Sequence, residues 1–127
     1  MASRGMVLII DDNATFREIY RDSLLNDGYQ VLEAVDGEDG MNILHKEHVD
    51  AIICDMLMPK KSGMQVLQEI SADENLKKIP VIAFSVLGEH SDIEKAKKAG
   101  ATEYLIKGMH SPIDVSLKLS ELLKPKA

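Results

Sequence analysis

Two adjacent aspartates at Asp11-Asp12, a third at Asp55, a hydroxyl at Ser85 and an amine at Lys107 are the residues whose types and placement could do chemistry. Each falls at the end of a short apolar run. If those ends are neighbours in space, three carboxylates converge, repel one another and raise each other's pKa unless a cation relieves them. A hard divalent ion held by one or two carboxylates, water and a phosphate oxygen is Mg2+ chemistry. Lys107 adds a positive charge that can pair with Asp55 at rest and with a phosphoryl group afterwards. Ser85 can donate a hydrogen bond to a phosphoryl oxygen. Nucleophile, metal site and two stabilising groups are together what phosphoryl transfer requires.

Taken singly, each residue has a plainer reading. Asp11-Asp12 suits a turn entering a helix, where carboxylates favour the positive N-terminus. Asp55, before Met56-Leu57-Met58-Pro59, could be a loop residue; Ser85 could be a satisfied hydroxyl, and Lys107 a solvated charge. Their joint arrival at strand ends is what favours chemistry, so the elements that carry them decide between the readings.

Five apolar runs, Met6–Ile10, Tyr29–Ala34, Asp50–Cys54, Ile79–Phe84 and Thr102–Ile106, read as strands. Several are rich in Val and Ile without polar alternation, as strands covered on both faces require. Between them lie stretches of helical period at about Ala14–Asn26, Asp36–Glu47, Gly63–Ser71, Ser91–Ala99 and Pro112–Leu123. Phe16, Ile19, Tyr20 and Leu24 share a face of the first. Asn13 and Thr15 are both candidate N-caps, and Thr15-Phe-Arg-Glu18 fits a capping box. Asn26-Asp27-Gly28 and Ala99-Gly100 read as helix ends, Ser111-Pro112 as a helix start and Pro125 as the last stop. Strict alternation implies an α/β fold with a parallel sheet between helix layers. Right-handed crossovers and small size favour a flavodoxin-like (βα)5 sandwich with strand order 2-1-3-4-5. That order makes strands one and three neighbours, and ligands in such sheets sit at the carboxyl edge where strand order reverses.

A chain of 127 residues can bury one proper core, and residues 1–127 read as a single domain without repeat or linker. The net charge of −6 argues against non-specific nucleic-acid binding, since nothing offsets repulsion from phosphates. Met6–Ile10 is too short for a signal-peptide core, and no run approaches membrane-spanning length. The lone cysteine, Cys54, excludes an intramolecular disulfide framework and reads as a small core hydrophobe. A cytoplasmic protein with no membrane contact is expected.

Four segments together resemble the response-regulator receiver family across essentially the whole chain. They are Val7-Leu8-Ile9-Ile10-Asp11-Asp12-Asn13, Asp55 to Gly63, Pro80-Val81-Ile82-Ala83-Phe84-Ser85, and Gly100 to Lys107. The resemblance implies a signalling switch of two-component or phosphorelay type that catalyses only its own phosphorylation and dephosphorylation. Asp55 would accept the phosphoryl group from a sensor histidine kinase or phosphotransfer protein. Asp11, Asp12, Asp55 and the Leu57 carbonyl would hold Mg2+, while Ser85 and Lys107 contact the phosphoryl group. Ser85 and Tyr104 would form the switch, with the Tyr104 ring rotating inward and repacking the surface of the fourth helix, fifth strand and fifth helix for a downstream protein target. A stand-alone regulator, a relay intermediate and a receiver cut from a larger regulator all remain open.

Some positions depart from the family pattern. Gly108 follows Lys107 where the family usually has proline, so a looser turn and no cis bond are expected there. Val86 is bulkier than the usual alanine or glycine and is expected to narrow the entrance to Asp55. Leu57 and Leu87 border the path of hydrolytic water without a polar group to orient it, which predicts slow self-dephosphorylation. Rival functions fit less well. A phosphohydrolase of haloacid-dehalogenase type with Asp55 as nucleophile needs a carboxylate where Leu57 stands. No Gly-x-x-x-x-Gly-Lys-Ser/Thr loop exists for a nucleotide, and Asp11-Asp12 would repel a flavin phosphate.

Overall fold

The computed structural model describes residues 3–124. Five strands, β1 Met6–Ile10, β2 Gln30–Ala34, β3 Ala51–Cys54, β4 Val81–Ser85 and β5 Glu103–Ile106, alternate with five helices. These are α1 Ala14–Asn26, α2 Gly37–Lys46, α3 Gly63–Ala72, α4 His90–Ala99 and α5 Pro112–Leu122. The sheet is parallel throughout, in the expected order β2-β1-β3-β4-β5.

The unbroken apolar character of β1, β3 and β4 follows from burial on both faces. Leu8, Ile10, Ile52, Cys54, Val81 and Ala83 point into one core with Val66, Leu67 and Ile70 of α3. Val7, Ile9, Ile53, Ile82 and Phe84 point the other way, against Tyr20 and Leu24 of α1 and Val115 and Leu119 of α5. Adjacent residues of each strand therefore serve opposite layers, as the two-residue period of a strand dictates. No helix among the described residues is long and apolar enough to cross a membrane.

Several boundaries differ from the sequence reading, each for a local reason. Ile79 belongs to a turn, its N–H bonded to Leu76 C=O at 3.0 Å, and Pro80 has no N–H for the ladder, so β4 starts at Val81. Ser85 is the last residue of β4, paired with Ile106, rather than the residue after it. The Tyr29 N–H closes α1 by bonding Leu24 C=O at 3.0 Å, which delays β2 to Gln30. Asn13 alone caps α1, its side chain accepting from Phe16 N–H at 3.0 Å; Thr15 lies inside the helix and the expected Thr15 box does not form. Ser111 caps α5 in a capping box with Asp114, and Pro112 follows at its first turn as expected. Pro125 lies outside the described residues.

Candidate functional site

The carboxyl edge of the sheet brings the predicted residues together. β1 and β3 are paired, so Asp11, just past Ile10, stands beside Asp55, just past Cys54. The Asp55 N–H continues the ladder to Ile10 C=O at 2.9 Å, and the Asp11 N–H continues it to Ala34 C=O at 3.1 Å. Their backbones are therefore fixed by the sheet itself. One carboxylate oxygen from each of Asp11, Asp12 and Asp55 lies within 4.8 Å of the others. Asp11 and Asp55 are buried while Asp12 is exposed, so the cluster opens to solvent on one side.

Lys107 enters this cluster from the end of β5. Its side chain is 6% exposed, and its ammonium lies 2.6 Å from Asp11 Oδ2 and 3.5 Å from Asp55 Oδ2. The expected pairing with Asp55 is present but secondary; Asp11 is the nearer partner. The same ammonium sits 4.5 Å from the centroid of the Phe16 ring, a cation–π contact strengthened by removal from water. Arg17 adds a further tie, donating to the Asp11 carbonyl at 2.7 Å while pairing with Glu33 of β2. Neither Phe16 nor Arg17 was singled out from the sequence as a site residue. Phe16 leads the apolar face of α1, and a helix starting directly after Asp11-Asp12 brings its first turn to the same sheet edge.

Asp55 is held in a defined pose, its Oδ1 accepting from Leu57 N–H at 3.2 Å. Burial pushes its carboxyl up to about 6; Lys107 opposes that rise and the Asp11 charge adds to it. A buried carboxylate with a second acid beside it is the donor set that a hard divalent cation fits, because such a cation removes the repulsion that one lysine leaves. Gly63 at the start of α3 keeps the loop after β3 close: a Cβ there would collide with the Asp55 carbonyl oxygen and come within 2.6 Å of the Met56 Cα. Burial also pushes up the thiol of Cys54, which lies wholly in the core.

Ser85 is fully buried, with Oγ accepting from Leu87 N–H at 3.2 Å. Its hydroxyl also meets the Tyr104 hydroxyl, and since the Tyr104 hydrogen goes to Leu87, Ser85 is the donor in that contact. Tyr104 already points inward, 9% exposed, and its hydroxyl donates to the Leu87 carbonyl at 2.7 Å. Leu87 thus links Ser85 to Tyr104 through its own peptide groups. Leu57, Leu87 and Tyr104 line a small cavity of about 160 Å³ with Met56 and Met64. Val86 stands out in solvent, 61% exposed.

The sequence pattern of the response regulator receiver domain matches residues 7–114, most of the chain. The chain belongs to that family. Receiver domains are signalling switches of two-component systems. This receiver is similar to the probable transcriptional regulator ycf27 of Guillardia theta, at 39% identity over 92 residues, 72% of the chain and 35% of that protein. It spans about a third of the length of such relatives. It is also similar to the polar-differentiation response regulator DivK of Brucella ovis, at 30% identity over 68% of the chain and 70% of that protein. Among solved structures, chemotaxis protein CheY4 of Vibrio cholerae matches with a TM-score of 0.88 and 26% identity, covering 95% of this chain and 99% of that one.

Proposed function

We propose that this receiver accepts a phosphoryl group on Asp55 from the phosphohistidine of a sensor kinase or phosphotransfer protein, with Mg2+. The observation that carries the reading is the convergence of Asp11, Asp12 and Asp55 within 4.8 Å beside a buried Lys107. In this reading Asp55 attacks phosphorus; the P–O bond forms as the P–N bond breaks, and the departing imidazole keeps the electron pair and takes a proton from water. Leu57 N–H holds one oxygen of the attacking carboxylate. Asp11 and Asp12, with the Leu57 carbonyl, would hold Mg2+, which when bound neutralises the carboxylates and the phosphoryl oxygens. Lys107, shared between Asp11 and Asp55, swings its charge toward the phosphoryl group.

The same reading supplies an output. A Ser85 hydroxyl drawn to the phosphoryl group gives up its hold on Leu87 N–H, and the Leu87 carbonyl is the anchor of Tyr104. Displacing the Leu87 backbone would therefore repack Tyr104 and the surface of α4, β5 and α5 that a downstream protein would read. Residues 1–127 act as one receiver domain in the cytoplasm, with no role for nucleic acid or membrane in the site. Whether alone, as the DivK likeness favours, or as a piece of a longer regulator, as ycf27 favours, the phosphoacceptor chemistry is the same.

The test is incubation with acetyl phosphate and Mg2+ followed by intact-mass measurement. A gain of one phosphoryl group that needs Mg2+ and disappears in Asp55→Ala is expected. No gain from acetyl phosphate or from a panel of histidine kinases would overturn the proposal.

A further inference from the structure

The turn that carries Lys107 away from the sheet is closed by a histidine that the phosphoacceptor chemistry does not use. β5 is an edge strand, so alternate N–H groups along it face away from β4. The Lys107 N–H bonds the Ser85 carbonyl at 2.8 Å, and the Ile106 N–H, one residue earlier, points off the edge. His110 takes it: Ile106 N–H donates to Nδ1 of the imidazole at 2.9 Å. A backbone N–H can only donate, so this bond uses the lone pair of Nδ1.

The Ile106 carbonyl, 3.3 Å from the same nitrogen, already accepts from Met109 N–H at 3.1 Å and His110 N–H at 3.0 Å. Both of its lone pairs are in use, which leaves the Ile106 N–H as the partner of Nδ1. The turn after Lys107, where a looser loop was expected, is closed by these hydrogen bonds. Gly108, at φ +88°, offers no restraint of its own, since even a Cβ added there would meet nothing within 4 Å. Restraint comes from His110, whose backbone bridges Lys107 and whose carbonyl accepts from the Tyr20 hydroxyl of α1 at 3.2 Å. The ionisable groups around this clasp are Tyr20, Lys107 in the same turn and Asp114 in the first turn of α5, whose charge reaches Tyr20.

We propose that His110 is a positioning residue for Lys107: its imidazole clasps the edge of β5 and holds the turn that aims the ammonium at Asp11 and Asp55. The proposal rests on the phosphoacceptor reading of Asp55. It makes phosphoryl acceptance depend on a group that touches neither the phosphoryl group nor the carboxylates.

The experiment compares wild type, His110→Asn and His110→Ala, each checked for folding by circular dichroism, in initial rate of phosphorylation by acetyl phosphate with Mg2+. Asparagine Oδ1 branches where imidazole Nδ1 does and accepts the same N–H. Near pH 8 the wild type and His110→Asn are expected to match, with His110→Ala slower by about fivefold, the loss of one net hydrogen bond. A His110→Asn rate as low as that of His110→Ala overturns the proposal, because lost packing alone would slow both variants, and a His110→Ala rate equal to that of the wild type overturns it as well. Nitrogen-15 spectra showing a protonated Nδ1 overturn it too. No mass gain in the wild type overturns the reading of Asp55 itself, a failure distinct from equal rates in the variants.

Discussion

Asp55→Asn should make the folded protein more stable at neutral pH, although it removes the proposed phosphoacceptor. The Asp55 carboxyl is raised from its ordinary 3.8 to about 6, chiefly by burial. At about 1.4 kcal/mol per pH unit, that distance is worth roughly 3 kcal/mol. Between the two values the folded chain holds a proton that the unfolded chain has released, so stability falls as pH rises through the interval. The penalty is absent below pH 3.8 and complete above about pH 6. Asparagine keeps an acceptor for Leu57 N–H and loses the 3.5 Å contact with Lys107, which still has Asp11 at 2.6 Å.

The expected gain at pH 7.5 is therefore about 1–3 kcal/mol, or about 5–10 °C in Tm for a domain of this size. Urea and thermal unfolding followed by circular dichroism, in buffer stripped of divalent cations, would measure it. The variant and wild type should coincide near pH 3.5 and separate as pH rises. Added Mg2+ should close the gap, because a cation that binds the folded wild type stabilises it by mass action. A variant less stable than wild type at pH 7.5, or a difference that does not change with pH, would refute the reasoning.

Lys107→Met should tighten Mg2+ binding on the order of tenfold by calorimetry while slowing phosphorylation, since the ammonium competes for Asp11; weaker Mg2+ binding would show that Lys107 organises the site rather than competing for it. Leu57→Asn should shorten the lifetime of the acyl phosphate by placing a water-orienting amide beside Asp55, and an unchanged lifetime would sink that idea. Gly63→Ala should cost about 2–3 kcal/mol in unfolding experiments, because its Cβ has no room against the Asp55 carbonyl and Met56. Leu119→Ala, fully buried between α5 and the sheet, should cost about 2–5 kcal/mol and leave Mg2+ binding intact.

The sheet was legible because its central strands are buried on both faces and so read as continuous apolar runs. The strand starts were not, since Ile79 and Tyr29 are apolar residues whose N–H groups close turns, and composition does not distinguish a turn from a ladder. Asp11, Asp12, Asp55, Ser85 and Lys107 stood out because strand ends in a parallel sheet face one edge. Phe16, Arg17 and His110 reach that edge from α1 and from the turn after β5. Only packing reveals that one lies over the lysine, another ties the Asp11 backbone and the third closes the turn. The preference of Lys107 for Asp11 is likewise a matter of ångströms, not of spacing along the chain.

That preference bears on how the switch would work. Three carboxylates and one ammonium leave the cluster with a formal charge of −2, which one divalent cation cancels. In the proposed reaction Asp55 exchanges one negative charge for the nearly two of a phosphoryl group, so the cluster becomes more negative at Asp55 and not at Asp11. Lys107, only 3.5 Å from Asp55, can follow that charge by a small shift away from Asp11. Ser85 can do so by rotating its hydroxyl away from Tyr104. Both movements begin from contacts about as short as those they would form, so little free energy opposes the exchange. A lysine bound to Asp55 alone would have nowhere to move from, and the position beside Asp11 is what lets it report the change.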